Sequence, residues 1–273
     1  MSKISSTTET CRMVRPLRLA LVALAMAGCG DANLERAREE YNQGLRLARG
    51  DENHKAITAF SAAIRLKPDY VNAYLNRGYQ YDALGQPKQA IADFSMAIHL
   101  HARYSKAYFN RGNVYLRIGK YKLSIADFSQ AIRLTPNDAE AYHNRGNAYR
   151  KSQQYPLAFR DYTKALEFNR NDGLAYYNRA LTCLHAADAD GAHQPTQLQR
   201  QNNFKQAIND LSDFLRLHPN VASAYQLRGI AHRENGAPKK AADDFAQAKT
   251  LEAARLVPQP EPSAATSTGP SEP

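Results

Sequence analysis

The chain has 273 residues, with 36 Lys and Arg against 26 Asp and Glu, and a formal charge of +10 at neutral pH. The two signs are interspersed, which excludes the concentrated basic stripe of a nucleic-acid-binding surface. Three cysteines exclude a disulfide framework, and no apolar run approaches the roughly 20 residues a membrane-spanning helix needs.

The first segment is a leader. Arg12, Arg15 and Arg18 precede an apolar run of about ten residues, Leu19 to Gly28. A basic flank, a short apolar core and small residues at its end describe a secretory signal peptide over residues 1–28. The run ends Met26-Ala27-Gly28-Cys29, which resembles a bacterial lipobox with Met26 where Leu is usual. The resemblance implies acylation of Cys29, a short linker over 29–36, and a mature chain anchored to a membrane without spanning it. Two or more acyl chains, palmitate among them, hold stably where one does not. Gly30 in place of Asp after the cysteine implies the outer membrane, facing the periplasm. Ordinary secretion with cleavage after Ala27 or Gly28 is the alternative. Residues 1–12 are polar and sit awkwardly before such a leader, so translation is expected to start at Met13. Removal of residues 1–28 leaves 32 basic against 25 acidic side chains, or about +7. That surplus suits anionic partners; a merely solvated surface is the plain alternative.

Beyond the leader a phrase recurs every 34 residues: Tyr74-Leu75-Asn76-Arg77-Gly78, Tyr108-Phe109-Asn110-Arg111-Gly112 and Tyr142-His143-Asn144-Arg145-Gly146, with a weaker copy at Tyr176-Tyr177-Asn178-Arg179-Ala180. A second phrase follows each at a fixed distance, from Ala90 to Ile98, Ser124 to Ile132 and Ala158 to Leu166. Large apolar residues fall three and four apart within each, so each is an amphipathic helix. Gly and Pro lie between the helices, at Gly85, Pro87, Gly119, Pro68 and Pro136. A fixed period of this length means stacked helix–turn–helix units.

These residues resemble the tetratricopeptide repeat. The resemblance rests on Tyr74, Gly78, Tyr81, Ala90, Phe94 and Ala97, and on their counterparts one and two periods later. It implies an all-α fold, a right-handed α-solenoid of about six units over residues 37–255: 37–70, 71–104, 105–138, 139–172, 173–221 and 222–255. The first unit has Glu40 in place of an aromatic. The fifth has Ala180 and Cys183 in place of Gly and Tyr, and an insert of about fifteen residues at 186–202. Residues 256–273 are rich in Pro, Ser and Thr and are expected to be disordered.

One covariation is not generic repeat grammar. Arg77, Arg111, Arg145, Arg179 and Arg228 in the first helices accompany Asp93, Asp127, Asp161, Asp210 and Asp244 in the second. The first unit lacks both, with Gln43 and Ala59. A ladder of structural ion pairs is expected.

The family resemblance implies that first helices line a concave, partner-binding groove. Its usual positions carry over to Tyr79, Lys106, Phe109, Asn113 and Arg117, then to His143, Asn147, Arg150, Tyr177 and Arg233. Rings among Arg, Lys and Asn suit an extended peptide. The Lys positions of a carboxylate clamp hold Leu75 and Phe109, which argues against that specialisation. No nucleophile elbow, phosphate loop or HExxH motif is present, so no catalytic residue, metal or cofactor is expected. His99 and His101 lack carboxylate or Cys neighbours, and Asp188, Asp190 and His193 read as loop residues before metal ligands. Cys183 reads as a small buried apolar residue. The leading function is a lipid-anchored adaptor recruiting envelope proteins or peptides. The runner-up is an assembly subunit of a pilus or secretion machine that packs onto itself, including as a homodimer, and a glycan-binding accessory is a third option.

Overall fold

A computed structural model of the chain describes residues 32–188 and 195–256. The leader with Met13 and Cys29, the insert residues 189–194 and tail residues 257–273 lie outside the described residues. Every regular element among the described residues is a helix: α1 (32–49), α2 (Asn53–Leu66), α3 (Val71–Ala83), α4 (Pro87–Leu100), α5 (Ser105–Arg117), α6 (Tyr121–Leu134), α7 (Ala139–Lys151), α8 (Tyr155–Phe168), α9 (Gly173–Ala187), α10 (Gln197–Leu217), α11 (Ala222–Glu234) and α12 (Pro238–Leu256). The chain divides into two compact units, one ending at Pro136 and the other beginning at Asn137. Each is a stack of helical hairpins in which a helix packs on its sequence neighbours and first helices of adjacent repeats touch, α3 with α5 and α7 with α9. This is the all-α solenoid architecture that the repeat predicts.

The small residues explain how closely the helices approach. Ala90, Ala97, Ala131 and Ala165 are fully buried. The repeated glycine answers to the aromatic of the second helix. A Cβ on Gly78 would lie 2.7 Å from Phe94 Cε1, on Gly146 2.9 Å from Tyr162 and on Gly229 2.7 Å from Phe245. The ring therefore presses directly on the first-helix backbone, and burying it is worth roughly 1.5–3 kcal/mol. In the fifth repeat Ala180 replaces the glycine, and there the second helix offers buried Leu211 in place of a ring. The two changes belong together: without the ring, a methyl group fits.

The turn inside five of the hairpins takes a left-handed residue. Gly85, Gly119 and Gly236 supply it at φ +67°, +76° and +78°. Asp51 and Gln153 occupy the same place at φ +56° and +61°, where a side chain is strained.

Three boundaries differ from expectation. The first helix begins by residue 32, inside the stretch read as linker, despite Glu40; Tyr41 packs its ring on Phe60 and Tyr70 at 5.7 and 4.9 Å. The insert is not loop throughout. α10 starts at Gln197 and runs 21 residues where other second helices of the inner repeats run 14, so six expected loop residues are helical. Thr196 starts it with a capping box: its hydroxyl accepts from the Gln199 amide at 3.2 Å, and its own amide donates to Gln199 Oε1 at 2.8 Å. Leu256, read as tail, closes α12.

Candidate functional site

The expected Arg–Asp pairs all form. Each Arg lies in a first helix and donates from Nε and Nη2 to both carboxylate oxygens of the Asp in its own second helix. The distances are 2.8 and 2.7 Å for Arg77–Asp93, 2.8 and 2.8 Å for Arg111–Asp127, and 2.7 and 2.9 Å for Arg145–Asp161. They are 2.9 and 2.7 Å for Arg179–Asp210, and 2.9 and 2.6 Å for Arg228–Asp244. Bidentate geometry of this kind fixes orientation as well as charge. Hydrogen bonds donated to the carboxylates help hold Arg77, Arg111 and Arg228 above the ordinary guanidinium pKa.

Two further partners were not legible as such. Arg77, Arg111, Arg179 and Arg228 each donate from Nη1 to a hydroxyl of the preceding repeat: Ser61, Ser95, Thr163 and Ser212, at 2.9–3.1 Å. Each Arg thus ties its own two helices together and ties its repeat to the one before. The sequence signal was present, since every one of these hydroxyls lies 16 residues before its Arg. The guanidinium also lies over flanking rings, Tyr74 and Tyr81 for Arg77 at 5.5 and 5.9 Å, and Tyr142 and Tyr149 for Arg145 at the same distances. These residues form the framework.

A second ladder runs through the asparagines. Asn76 donates to Tyr41 Oη at 3.0 Å and Asn110 to Tyr79 Oη at 2.5 Å, while each also bonds a carbonyl one turn earlier in its helix. Asn178 contacts His143 Nε2 at 3.3 Å, and His143 Nδ1 lies 2.8 Å from Asp172. A proton on Nδ1 lets the ring donate to Asp172. Burial alone would raise the Asp172 carboxyl, but the bond from His143 and the amides of Ala175 and Leu174 bring it below its ordinary value.

The groove residues are therefore not equivalent. In the first unit, Tyr79, Lys106 and Arg117 are exposed, and Phe109 and Asn113 are half-buried. Phe109 stands edge-on to Phe128 at 5.7 Å, and Arg117 is ion-paired with Asp82. In the second unit His143 is buried and held by Asp172 and Asn178, so it is a framework residue more than a contact surface. Asn147 Oδ1 accepts from the buried Tyr162 hydroxyl at 2.8 Å. Tyr177 is half-buried with its ring 5.1 Å from Phe214, and Arg233 is exposed, donating to Glu234.

Arg150 is the most unusual member. It is half-buried and its charge works against the rise of the Tyr162 phenol, yet its Nε is inaccessible and has no hydrogen-bond partner. Burial, with the positive charges of Arg150 and Lys151, pushes the nearby His185 imidazole below its ordinary pKa, against the opposing pull of Asp188. The first-helix surface here is a local positive field. Burial raises the Tyr162 phenol to about 12. Among the described residues no group of three His, Cys, Asp or Glu is placed to hold a metal ion, and no helix is long and apolar enough to cross a membrane.

Four repeat models match parts of the chain: tetratricopeptide-repeat models over residues 59–92, 139–172 and 196–258, and a TPR-repeat model over 112–153. No functionally curated protein matches it. Among solved structures, it is similar to pilF of Pseudomonas aeruginosa at TM-score 0.63 and 17% identity, over 81% of this chain and 93% of that one. It is similar to a tetratricopeptide-repeat protein of Parabacteroides merdae at TM-score 0.62 and 19% identity, over 80% of each chain. It also resembles YrrB, described as having an unusual peptide-binding site, at TM-score 0.60 and 21% identity, over 71% of this chain and 93% of that one. Likeness at these identities establishes the fold.

Proposed function

For a chain that belongs to the tetratricopeptide-repeat family, we propose the role of a non-catalytic scaffold that binds other proteins on the first-helix faces of its repeats. One observation carries this reading. The framework uses its own Arg, Asp and hydroxyl groups internally, whereas Tyr79, Lys106, Phe109, Arg150 and Tyr177 remain exposed or half-buried on first helices. Rings bury partner side chains and cations hold acidic or main-chain groups. The fold shared with pilF and with YrrB, whose description names a peptide-binding site, supports the same class of role.

The scaffold works at the bacterial cell envelope, tethered through acylated Cys29 to the outer membrane on its periplasmic side. Residues 15–29 support this through their basic flank, short apolar core and Met26-Ala27-Gly28-Cys29. Incorporation of labelled palmitate into the wild-type chain, and its loss in Cys29→Ala, tests the anchor. Affinity capture from envelope extract tests the scaffold. Wild type is expected to retain partners that Phe109→Ala, Arg150→Ala and Tyr177→Ala lose at unchanged melting temperature; equal capture by all four proteins refutes the groove. Exposed Phe168 and Leu174, 47% and 62% accessible at neighbouring ends of α8 and α9, favour the second reading, a self-associating assembly subunit. Phe168→Ser would then abolish self-association and leave partner capture intact.

A further inference from the structure

Two departures of the fifth repeat, Cys183 and the longer α10, meet at one cavity of about 840 Å³ within the second unit. The guanidiniums of Arg77, Arg111 and Arg145 each lie between two tyrosines of their own helix, with Tyr81, Tyr115 and Tyr149 as the second ring. The fifth repeat has Cys183 at that position, and Arg179 lies over Tyr176 and over Phe159 of the preceding repeat instead. Phe159 covers the guanidinium from α8, and Phe159, Cys183 and Ala186 line the cavity, with no tyrosine from α9 in it. The additional turns of α10 wall this space with Gln199 and Asn202, and Gln206 follows one turn on.

Among the described residues, the lining combines apolar side chains such as Pro156, Phe159 and Ala186 with the amides of Gln199, Asn202 and Gln206, and carries no formal charge. Gln206 donates to Asp210 at 3.0 Å, and Asp210 is already paired with Arg179, so that buried charge is not offered to a ligand. A pocket of this size and character takes a ring, and its amides take the main chain that carries the ring. Residues 1–31, 189–194 and 257–273 contain no Phe, Tyr or Trp.

We propose that this cavity is a binding site for an aromatic side chain of a partner protein, presented on an uncharged stretch of chain. It shares no residue with the first-helix set above and works independently of it. Its ligand takes the place of the tyrosine that the repeat omits.

The test is an NMR titration of the full chain with acetyl-Gly-Tyr-Gly-amide, with acetyl-Gly-Gly-Gly-amide and a trimer of N-acetylglucosamine as controls. Saturable shifts are expected at the amides of Cys183, Ala186, Gln199 and Gln206 for the tyrosine peptide alone. Cys183→Tyr restores the residue of the second to fourth repeats, places a ring in the cavity and is expected to weaken binding at least tenfold. Should that variant fail to fold, Asn202→Ala and Gln199→Ala are expected to weaken binding several-fold at unchanged melting temperature. Phe109→Ala, in the other compact unit, leaves this binding unchanged whether or not the first-helix reading is correct. Absence of saturable shifts, equal binding of the glycine peptide, binding of the sugar in place of the peptide, or wild-type affinity in folded Cys183→Tyr would each overturn the proposal.

Discussion

Arg111 and Asp127 give the sharpest energetic test of the framework. The carboxylate is the more deeply buried partner, with its side chain 8% exposed against 19% for the guanidinium. Arg111→Leu removes two bonds to Asp127 and one to Ser95, and strands a buried carboxylate. Asp127→Leu strands a guanidinium that can still reach Ser95 and part of the solvent. Breaking one side of a buried pair costs about 3–5 kcal/mol. We expect Arg111→Leu to cost about 3–4 kcal/mol. For Asp127→Leu we expect about 2 kcal/mol, nearer the cost of lost charge-assisted hydrogen bonds. The double Leu variant should lie within about 1 kcal/mol of wild type, since a buried pair exchanged for apolar groups is often neutral. Urea unfolding followed by circular dichroism, with all four proteins compared, measures the coupling. An additive double variant, or a larger loss from Asp127→Leu than from Arg111→Leu, would refute the reasoning.

Ser95→Ala removes only the bond between repeats and is expected to cost about 1 kcal/mol in the same assay; no loss would show that the hydroxyl is idle. Gln153→Gly, at φ +61°, is expected to stabilise by about 1 kcal/mol through relief of left-handed strain, and a fall in melting temperature would contradict that. Ala180→Gly combined with Leu211→Phe should restore the ring-on-backbone contact and fold, whereas Leu211→Phe alone should be clearly less stable, which thermal melts decide. The depressed Asp172 carboxyl stabilises the fold above its unfolded value and loses that contribution as pH falls through its lower folded value. Asp172→Asn should therefore narrow the stability gap to wild type as pH drops from 6 to 3; a constant gap would contradict the sign. Burial pushes the Cys183 thiol to about 12, so it should resist alkylation at pH 8 until the chain is unfolded, and fast labelling of the native chain would overturn its placement.

The 34-residue period made the helices and their pairing readable, because each repeat must bury the same stripe against its neighbours. The Arg–Asp ladder was readable too, because both members repeat and both vanish from the first repeat. The serines of the ladder were harder, since each serves the repeat that follows its own, and Ser in a second helix looks like an ordinary surface residue. Glu40 stands where the later repeats have an aromatic; Tyr41, one residue on, supplies the ring. The insert misled because its polar composition reads as loop, while a Thr–Gln capping box turns part of it into helix. At the candidate site, position alone placed His143 with Phe109 and Tyr177. What separates them is Asp172, which sits 29 residues away and takes His143 into the framework.

The most direct test is the affinity of a captured partner for the full chain, measured by calorimetry for wild type and for Phe109→Ala and Arg150→Ala. A scaffold that works through its first-helix faces predicts at least a tenfold loss, about 1.4 kcal/mol, in each variant at unchanged melting temperature. Wild-type affinity in both folded variants would contradict it.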